Sequence, residues 1–311
     1  MYDATDPRSS LASTAKSASP VATVLAGADY AKFYESAPQE SGPQGRTWYA
    51  RGQNFIVAHS EAEPGASFER QDQPDEYVVL VPVPDTSATI RVGQSVANVP
   101  GESLAIVPPG RTTVTLPNGG RIVRFFTTRS EDLAAKCSNA QSYATRHPNI
   151  PPFEPWPVPP AGYRIRVYSL KVPPQPGRFG RIFRCTTFMI NYLDPFIGPR
   201  DVTKMSPHHH DDFEQGSLCL EGAFTHHLRW PWTTDMRAWR EDDHEHCGSP
   251  SLVVIPPPSI HTSQATAPGV NQLVDIFCPP RMDFSEKPGW VLNADEYPMP
   301  QGKEGAEGRK R

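Results

Sequence analysis

Histidines are unevenly distributed along this chain, and they gather where they could bind a metal. Eight of the ten lie between residues 208 and 261, and three are adjacent in the segment PHHHDDFEQ, residues 207–215. A neutral imidazole supplies a nitrogen ligand, and a carboxylate or amide oxygen can complete the coordination of a divalent first-row metal. The spacing therefore favours a metal site built from the triple histidine and a partner further along the chain.

The segments around these histidines have the pattern of short β-strands. Proline, at 36 of 311 residues, opposes long helices. Apolar runs recur in both halves of the chain: NFIVAHS, EYVVLVPV, SLAIVPPG and RIVRFFTT, then RIFRCTTFMINYL, SLCLEGAF, SLVVIPPP and NQLVDIFCPP. The pattern predicts an all-β protein with a few short helices, one of them within residues 130–147.

The two halves of the chain repeat each other. Residues 103–110, SLAIVPPG, match residues 251–258, SLVVIPPP, at an offset of 148. Residues 75–81, DEYVVLV, match residues 214–220, EQGSLCL, at an offset of 139. Two matches in the same order, both flanked by strands, predict a duplicated β-domain.

Charge and composition exclude several function classes. The net charge of −4 gives no basic field for nucleic acid or for an anionic membrane. No apolar run approaches the ~20 residues of a membrane-spanning helix. The five cysteines are odd in number and form no CxxC pair, so we expect reduced thiols and a cytoplasmic protein. Nucleotide-binding glycine motifs and the GxSxG nucleophile elbow are also missing from the sequence.

The histidine-rich half resembles the cupin superfamily, whose small β-barrels carry two signature stretches. The first places an HxH pair three or four residues before Glu or Gln, with Gly after six more residues. The second ends in PxG, two residues and His. Residues 208–222 read HHHDDFEQGSLCLEG, and residues 256–261 read PPPSIH. The resemblance implies two cupin-type barrels in tandem, each a double-stranded β-helix or jelly roll, as in a bicupin.

The repeat and the resemblance together divide the chain into five parts. We expect an N-terminal extension (1–45), a degenerate, metal-free first barrel (46–128), a helical and proline-rich linker (129–180), a metal-binding second barrel (181–280), and a C-terminal strap and tail (281–311). The strap is expected to pack on a barrel rather than to act as a lid over a pocket.

The resemblance also implies a ligand set. His208, His210 and His261 would bind one metal inside the second barrel, together with an oxygen ligand from Gln215 or Glu214. Gln215 fits the six-residue distance to the following glycine, and Glu214 fits the shorter gap after HxH. Proline stands where cupins have the glycine of the second stretch, so the turn before the last histidine is expected to differ.

Strand alternation favours Gln215 as the oxygen ligand. If Gln215 faces the barrel interior, Ser217 and Cys219 do so too, while Leu218 and Leu220 face the opposite way. Small residues then line the interior, and the leucines pack together.

The first half of the chain lacks histidines at the matching positions. Arg70, Asp72 and Glu76 occupy the region of the first signature, and Thr113 lies where the last metal ligand falls in the repeat. We therefore expect a metal-free scaffold that covers the active barrel and takes part in dimerisation. The alternative is a second ligand pocket lined by Arg70 and Arg111.

Further histidines lie between the two signature stretches. His226 and His227 are adjacent on the next strand, so one should face inward and the other outward. The inward residue either packs in the core or, with Arg229, contacts substrate. His244 and His246 lie in a charged segment that favours a solvated loop, and a zinc site is the alternative.

Residues 148–170, PNIPPFEPWPVPPAGYRIRVYSL, form a proline-rich arm that carries Phe153, Trp156 and Tyr163. A segment with few backbone hydrogen bonds must bury its aromatic side chains to stay ordered. The arm either folds over its own barrels or lies across a neighbouring chain. The second possibility, with a first barrel free for an interface, predicts a homodimer or larger homo-oligomer.

These features indicate a metal-dependent enzyme that acts on a small molecule in the C-terminal barrel. Three histidines and one oxygen ligand leave coordination positions open for substrate and O₂, and Arg229 could hold a carboxylate. The favoured function is an Fe(II) dioxygenase acting on a small organic acid or phenol, with Mn, Ni or Zn as other possible metals. A redox-neutral isomerase, lyase or decarboxylase is the alternative, and a non-catalytic binding protein is the third hypothesis.

Overall fold

The computed structural model describes residues 24–301. Parts of the expected N-terminal extension (1–23) and tail (302–311) lie outside the described residues. No helix within 24–301 is long and apolar enough to cross a membrane. The strands of the first half are β1 (Asp29–Lys32), β2 (Glu40–Gly42), β3 (Gly45–Arg51), β4 (Phe55–Ala62), β5 (Ala66–Gln73), β6 (Tyr77–Val81), β7 (Ala88–Val92), β8 (Ser95–Val99), β9 (Ser103–Val107), β10 (Gly110–Leu116) and β11 (Gly120–Thr127).

The second half is built in the same way. Its strands are β12 (Arg166–Ser169), β13 (Arg181–Arg184), β14 (Met189–Tyr192), β15 (Phe196–Ile197), β16 (Gln215–Glu221), β17 (Ala223–Arg229), β18 (Asp243–Gly248), β19 (Ser251–Ile255), β20 (Ile260–Ala265) and β21 (Val270–Phe277). The α-helices of the described chain are the single turns α1 (Glu131–Ala134) and α2 (Met282–Ser285), and 3₁₀ turns span Ala140–Tyr143 and Met236–Ala238. The prediction of an all-β protein is confirmed.

The first barrel closes from two antiparallel sheets. A seven-stranded sheet in the order β12-β9-β6-β11-β4-β3-β2 faces a four-stranded sheet in the order β5-β10-β7-β8. Along β6, Tyr77 and Val79 point into the barrel, and Val78 and Leu80 point toward the other barrel. This alternation follows from the two-residue period of a strand whose faces are both buried.

The second barrel repeats this arrangement. Strands in the order β1-β19-β16-β21-β14-β13, with β15 also paired to β21, face a three-stranded sheet in the order β18-β17-β20. The pairings of β6 with β9 and β11 recur as the pairings of β16 with β19 and β21. The tandem-barrel prediction is thereby confirmed.

Each large sheet is completed by a strand from outside its own barrel sequence. Strand β1 pairs with β19 of the second barrel, with Tyr30 opposite Val253. Strand β12, which follows the proline-rich arm, pairs with β9 of the first barrel, with Val167 opposite Ala105. The N-terminal extension and the linker are therefore structural parts of the barrels, and they tie the two halves of the chain together.

The linker forms two short helical turns where the sequence predicted one helix over 130–147. Helix α1 ends at Ala134, and the 3₁₀ turn begins at Ala140. Between them, the Asn139 side chain accepts a hydrogen bond from the Arg51 backbone N–H and donates one to the Arg51 carbonyl. Asparagine readily hydrogen-bonds to backbone in this way, and tertiary contacts of this kind override a weak helix propensity.

The proline-rich arm packs on its own chain. Trp156 is buried beneath the Arg184 guanidinium, 5.3 Å from the ring centroid, and its backbone N–H donates to Thr186 O. Phe153 lies under Arg129 at 5.0 Å. Trp156 and Phe153 therefore need no neighbouring chain to cover them, whereas Tyr163 is 44% exposed. The predicted homo-oligomer stays a prediction.

The segment after β21 straps both barrels together. Phe284 and Trp290 are buried in a cluster with Phe277 of the second barrel. Further on, the Tyr297 hydroxyl donates to the Glu76 carboxylate of the first barrel at 2.9 Å. These contacts agree with a strap rather than a lid.

The face between the barrels holds a buried histidine that should make stability depend on pH. His59 is fully buried, stacks against Phe33 at 5.7 Å, and neither ring nitrogen has a hydrogen-bond partner among the described residues. Burial lowers its pKa from 6.5 to about 3. Above pH 6.5 the group is neutral in both the folded and unfolded states. Below it, only the unfolded chain takes up the proton, so acid favours unfolding.

We expect wild-type protein to lose up to about 1.4 kcal/mol more unfolding free energy per pH unit than His59→Leu between pH 6 and 4. Leucine keeps an apolar side chain of similar size in this position and cannot titrate. Urea unfolding at several pH values measures both slopes. Equal slopes for the two proteins would contradict the prediction.

Candidate metal centre

Three histidines meet in the second barrel. The ring nitrogens of His208, His210 and His261 lie within 4.8 Å of one another, and no other group of three histidine, cysteine or acidic residues within 24–301 comes together in this way. The two backbones are also paired: the backbone N–H of His208 donates to the backbone carbonyl of His261 at 3.1 Å, and the backbone N–H of His261 donates to the backbone carbonyl of His208 at 2.7 Å. This bridge brings the two signature stretches together, as the sequence predicted.

Backbone carbonyls set the tautomers of two of these rings. Nδ1 of His208 lies 3.0 Å from Ser206 O, and Nδ1 of His261 lies 3.0 Å from Ser259 O. A carbonyl oxygen can only accept, so each Nδ1 carries the proton and each Nε2 keeps its lone pair. This arrangement is typical of histidines that bind metals.

Gln215 turns its amide oxygen toward the histidines. Its Oε1 lies 3.1 Å from His210 Nε2, and its Nε2 donates to Asp275 Oδ1 at 3.0 Å and to Ser217 Oγ at 3.1 Å. The Asp275 carboxylate accepts hydrogen bonds, so it fixes the orientation of the amide. A neutral oxygen ligand therefore lies next to the three imidazoles, and these residues fit a divalent transition metal.

The alternation expected along β16 is confirmed. Leu218 and Leu220 belong to the core between the barrels, and Cys219 packs with residues on the inner side of the second barrel. Burial raises the pKa of the Cys219 thiol to about 12, so the thiol stays protonated and is no nucleophile at neutral pH.

The structure does not bring Glu214, the alternative oxygen ligand, to the histidines. Its carboxylate is buried against the first barrel and accepts hydrogen bonds from the backbone N–H groups of Gln53 and Asn54, each at 2.9 Å. Burial raises its pKa to about 7. Adjacent residues of a strand point in opposite directions, so Glu214 joins the barrels while Gln215 faces the cluster.

Removing this carboxylate should cost stability and leave metal binding intact. Glu214→Ala leaves two buried N–H groups without acceptors, so we expect unfolding free energy to fall by about 2–4 kcal/mol. Glu221→Ala, at the exposed far end of strand β16, which begins one residue after Glu214, is the matched control. Urea unfolding measures the loss, and metal analysis runs alongside. Loss of metal without loss of stability would contradict this role.

Strand β17 places one histidine on each face, as expected from its alternation. His226 is buried, and its Nδ1 lies 2.9 Å from Ser263 Oγ. Its Nε2 has no hydrogen-bond partner among the described residues, and burial lowers its pKa to about 3. His227 lies on the outer face, with Nδ1 2.7 Å from His244 Nδ1. Of the pair, His226 is the residue that faces the barrel interior, and its contact with a substrate stays a prediction.

The structure does not place Arg229 in the barrel interior, contrary to the expectation that it contacts substrate. It is exposed on the outer face and pairs with Asp242, with Nε 2.8 Å from the carboxylate. His244 and His246 lie on strand β18 rather than in a loop. No third ligand joins them within residues 24–301, so the zinc alternative is not assembled there.

No protein-family model and no curated protein matches this sequence. Solved structures match over most of its length. The oxalate decarboxylase of Lactobacillus farciminis has a TM-score of 0.56 at 11% identity, with 83% of this chain and 89% of that chain covered. A Bacillus subtilis oxalate decarboxylase mutant gives 0.55 at 12% identity, covering 84% and 80%. The chain has the bicupin fold. AerE from Microcystis aeruginosa gives 0.52 at 9% identity, covering 78% and 95%.

Two interior polar residues of the second barrel were not predicted from the sequence. Asp275 is the single charged residue of strand β21, VNQLVDIF, and lies opposite Ser217 and Asn191 on neighbouring strands. The Asn191 amide is buried, and neither of its polar atoms has a partner among the described residues. A lone charge in an otherwise uncharged strand was the available signal, since burial of such a group requires partners.

The first barrel has other side chains at the positions of the histidines and Gln215. Strand β9, SLAIV, corresponds to strand β19, SLVVI, in the second barrel. Tyr77 lies opposite the last residue of β9, as Gln215 lies opposite the last residue of β19, so Tyr77 occupies the position of Gln215. Thr112 pairs with Arg70 in the first barrel, as His261 pairs with His208 in the second. Thr112 therefore occupies the position of His261, and Arg70 that of His208.

The sequence offset had suggested Thr113 at this position. The chain from the end of β9 to this position is one residue shorter than the chain from the end of β19 to His261, and β10 shifts register between Gly110 and Thr112. The Tyr77 hydroxyl and Thr112 Oγ1 form a buried hydrogen bond of 2.9 Å where the other barrel has its cluster.

Proposed function

We propose that this bicupin is a metal-dependent enzyme that acts on a small carboxylic acid in its second barrel. One divalent transition metal would be held by His208, His210, His261 and Gln215. The observation that carries the proposal is the convergence of three histidines on the correctly turned amide oxygen of Gln215.

The charge of the site favours an anionic substrate. Burial lowers the pKa of His210 well below its ordinary value, so this ring is neutral, as a ligand must be. Imidazoles and an amide add no negative charge, so the two positive charges of a bound divalent ion would be offset only by the Asp275 carboxylate behind Gln215, and the site would stay positive toward a substrate. The metal supplies Lewis-acid polarisation of a substrate oxygen when bound.

The residues of the barrel have separable tasks. Asp275 orients Gln215 through the amide hydrogen bond at 3.0 Å. His226, held by Ser263, presents a neutral ring to the interior and can form a hydrogen bond with a substrate at Nε2. Buried walls keep water away from the reacting atoms, which strengthens these polar interactions.

A redox-neutral decarboxylation or related lyase reaction ranks ahead of Fe(II) dioxygenation in this proposal. The similar structures include oxalate decarboxylases, and the Bacillus subtilis enzyme has Mn(II) centres. The expected dioxygenase site also relied on Arg229 to hold a carboxylate, and that residue lies outside the barrel. Without an interior arginine at that position, the metal itself is the group that would bind the carboxylate.

Product and oxygen measurements on metal-loaded protein test the proposal. The protein is loaded separately with Mn(II), Fe(II), Ni(II) or Zn(II) and given a panel of small mono- and dicarboxylic acids and phenols. CO₂ release without stoichiometric O₂ consumption supports the decarboxylase proposal. One O₂ consumed per substrate overturns it in favour of a dioxygenase. Metal bound tightly with no turnover across the panel overturns it in favour of a binding protein.

A further inference from the structure

The first barrel carries a positive charge where the second carries a negative one. Arg124 on β11 lies opposite Val79 on β6, and Asp275 on β21 lies opposite Ser217 on β16. With Tyr77 matched to Gln215, Val79 matches Ser217, and Arg124 therefore takes the position of Asp275. At this interior position the first barrel therefore has a positive side chain, Arg124, and the second barrel has a negative one, Asp275.

Arg124 is buried without a carboxylate partner. Its side chain is 5% exposed, its Nη2 donates to Ser60 Oγ at 3.0 Å, and its Nε has no hydrogen-bond partner among the described residues. The guanidinium stacks on the Phe68 ring at 4.0 Å, and its other polar neighbours are Tyr49, Tyr77 and, as the nearby acid, Glu40. An arginine keeps its charge in proteins, and a buried charge without a direct ion pair is costly.

A cavity of about 400 Å³ opens onto this guanidinium. Its other cations are already paired within the chain: Arg70 forms two hydrogen bonds with Asp132, and Lys136 lies 2.7 Å from a Glu40 oxygen. Arg124 is therefore the lining cation that forms no ion pair within 4 Å among the described residues, and the nearby Glu40 carboxylate already binds Lys136 and the Tyr49 hydroxyl. Lining residues also include Thr47, Tyr49 and Phe68, which give the cavity both hydroxyl and aromatic surfaces.

We propose that the first barrel is a second, metal-free binding site for a small organic carboxylate. The carboxylate would lie against the Arg124 guanidinium, and its apolar part would lie along Phe68 and Tyr49. Arg111, which the sequence suggested as a lining residue, is exposed and lies outside this cavity. The site is independent of the metal centre and of the reaction proposed for the second barrel.

Calorimetric titration of the full chain with benzoate, pyruvate, succinate and inorganic phosphate tests this site. We expect at least one carboxylate to bind wild type and the metal-site variant His261→Ala with equal affinity. Arg124→Gln should weaken that binding at least tenfold. Arg91→Gln, an exposed arginine on β7 of the same barrel, should leave it unchanged.

A second variant keeps the test independent of the folding of Arg124→Gln. Gly42 lines the cavity, and a Cβ there would meet no atom within 4 Å, so Gly42→Trp narrows the cavity without disturbing the core. It should also weaken carboxylate binding at least tenfold. Several results overturn the proposal: no binding of any probe at millimolar concentration, binding of phosphate alone, loss of binding in His261→Ala, or wild-type affinity in Gly42→Trp or in folded Arg124→Gln.

Discussion

The His261→Ala variant is expected to lose essentially all of its bound metal while it keeps its fold. His261 provides one of three converging imidazoles and is fixed by Ser259 O and by the bridge to His208. Removing a direct ligand should exceed the 10–100-fold loss typical of residues that only orient ligands, so we expect affinity to fall at least about 100-fold. Metal content per chain after loading and dialysis is the measurement.

His227→Ala is the matched control for this experiment. His227 is also a histidine on the three-stranded sheet of the same barrel, and it lies on the outer face beside His244. We expect its metal content to equal that of wild type. Full metal retention in His261→Ala, or equal loss in both variants, would remove the basis for the metal centre. Thermal unfolding of each variant shows whether the barrel remains intact.

The local features of the site could be predicted because they depend on neighbouring residues in the sequence. The spacing of His208, His210 and Gln215 lies within one short segment, and strand alternation alone separates Gln215 from Glu214. The same alternation rule, applied to strand β17, would have corrected the expectation that Arg229 contacts substrate. It lies two residues after His227 and therefore shares its outward face, not the inward face of His226.

The features that could not be predicted depend on contacts between distant segments. The register shift in β10 moves the matching residue from Thr113 to Thr112, and an offset counted along the sequence contains no information about it. The interruption of the predicted helix depends on Asn139 reaching Arg51 of the first barrel. The proline-rich arm has aromatic residues that require cover, but the sequence does not specify whether its own chain or another provides it.

The core between the barrels should make the whole chain unfold as one unit. It combines residues of both large sheets, among them Phe125 on β11 and Phe188 just before β14, whose ring centroids are 6.4 Å apart. Strands β1 and β12 add connections in both directions. Neither barrel can keep this apolar face covered alone, so unfolding of one exposes the core of the other.

Phe188→Ala is therefore expected to lower the unfolding free energy by about 3–5 kcal/mol, the range for a fully buried phenylalanine whose removal leaves a cavity. Urea unfolding followed by circular dichroism and by tryptophan fluorescence should show one coincident transition in both proteins, shifted to lower urea in the variant. Ile197→Ala, at a side chain that is 76% exposed, should change the free energy by less than about 0.5 kcal/mol. Two separate transitions, with only one shifted by Phe188→Ala, would mean that the barrels are independent. The core would then be a contact between two stable domains rather than the centre of a single folding unit.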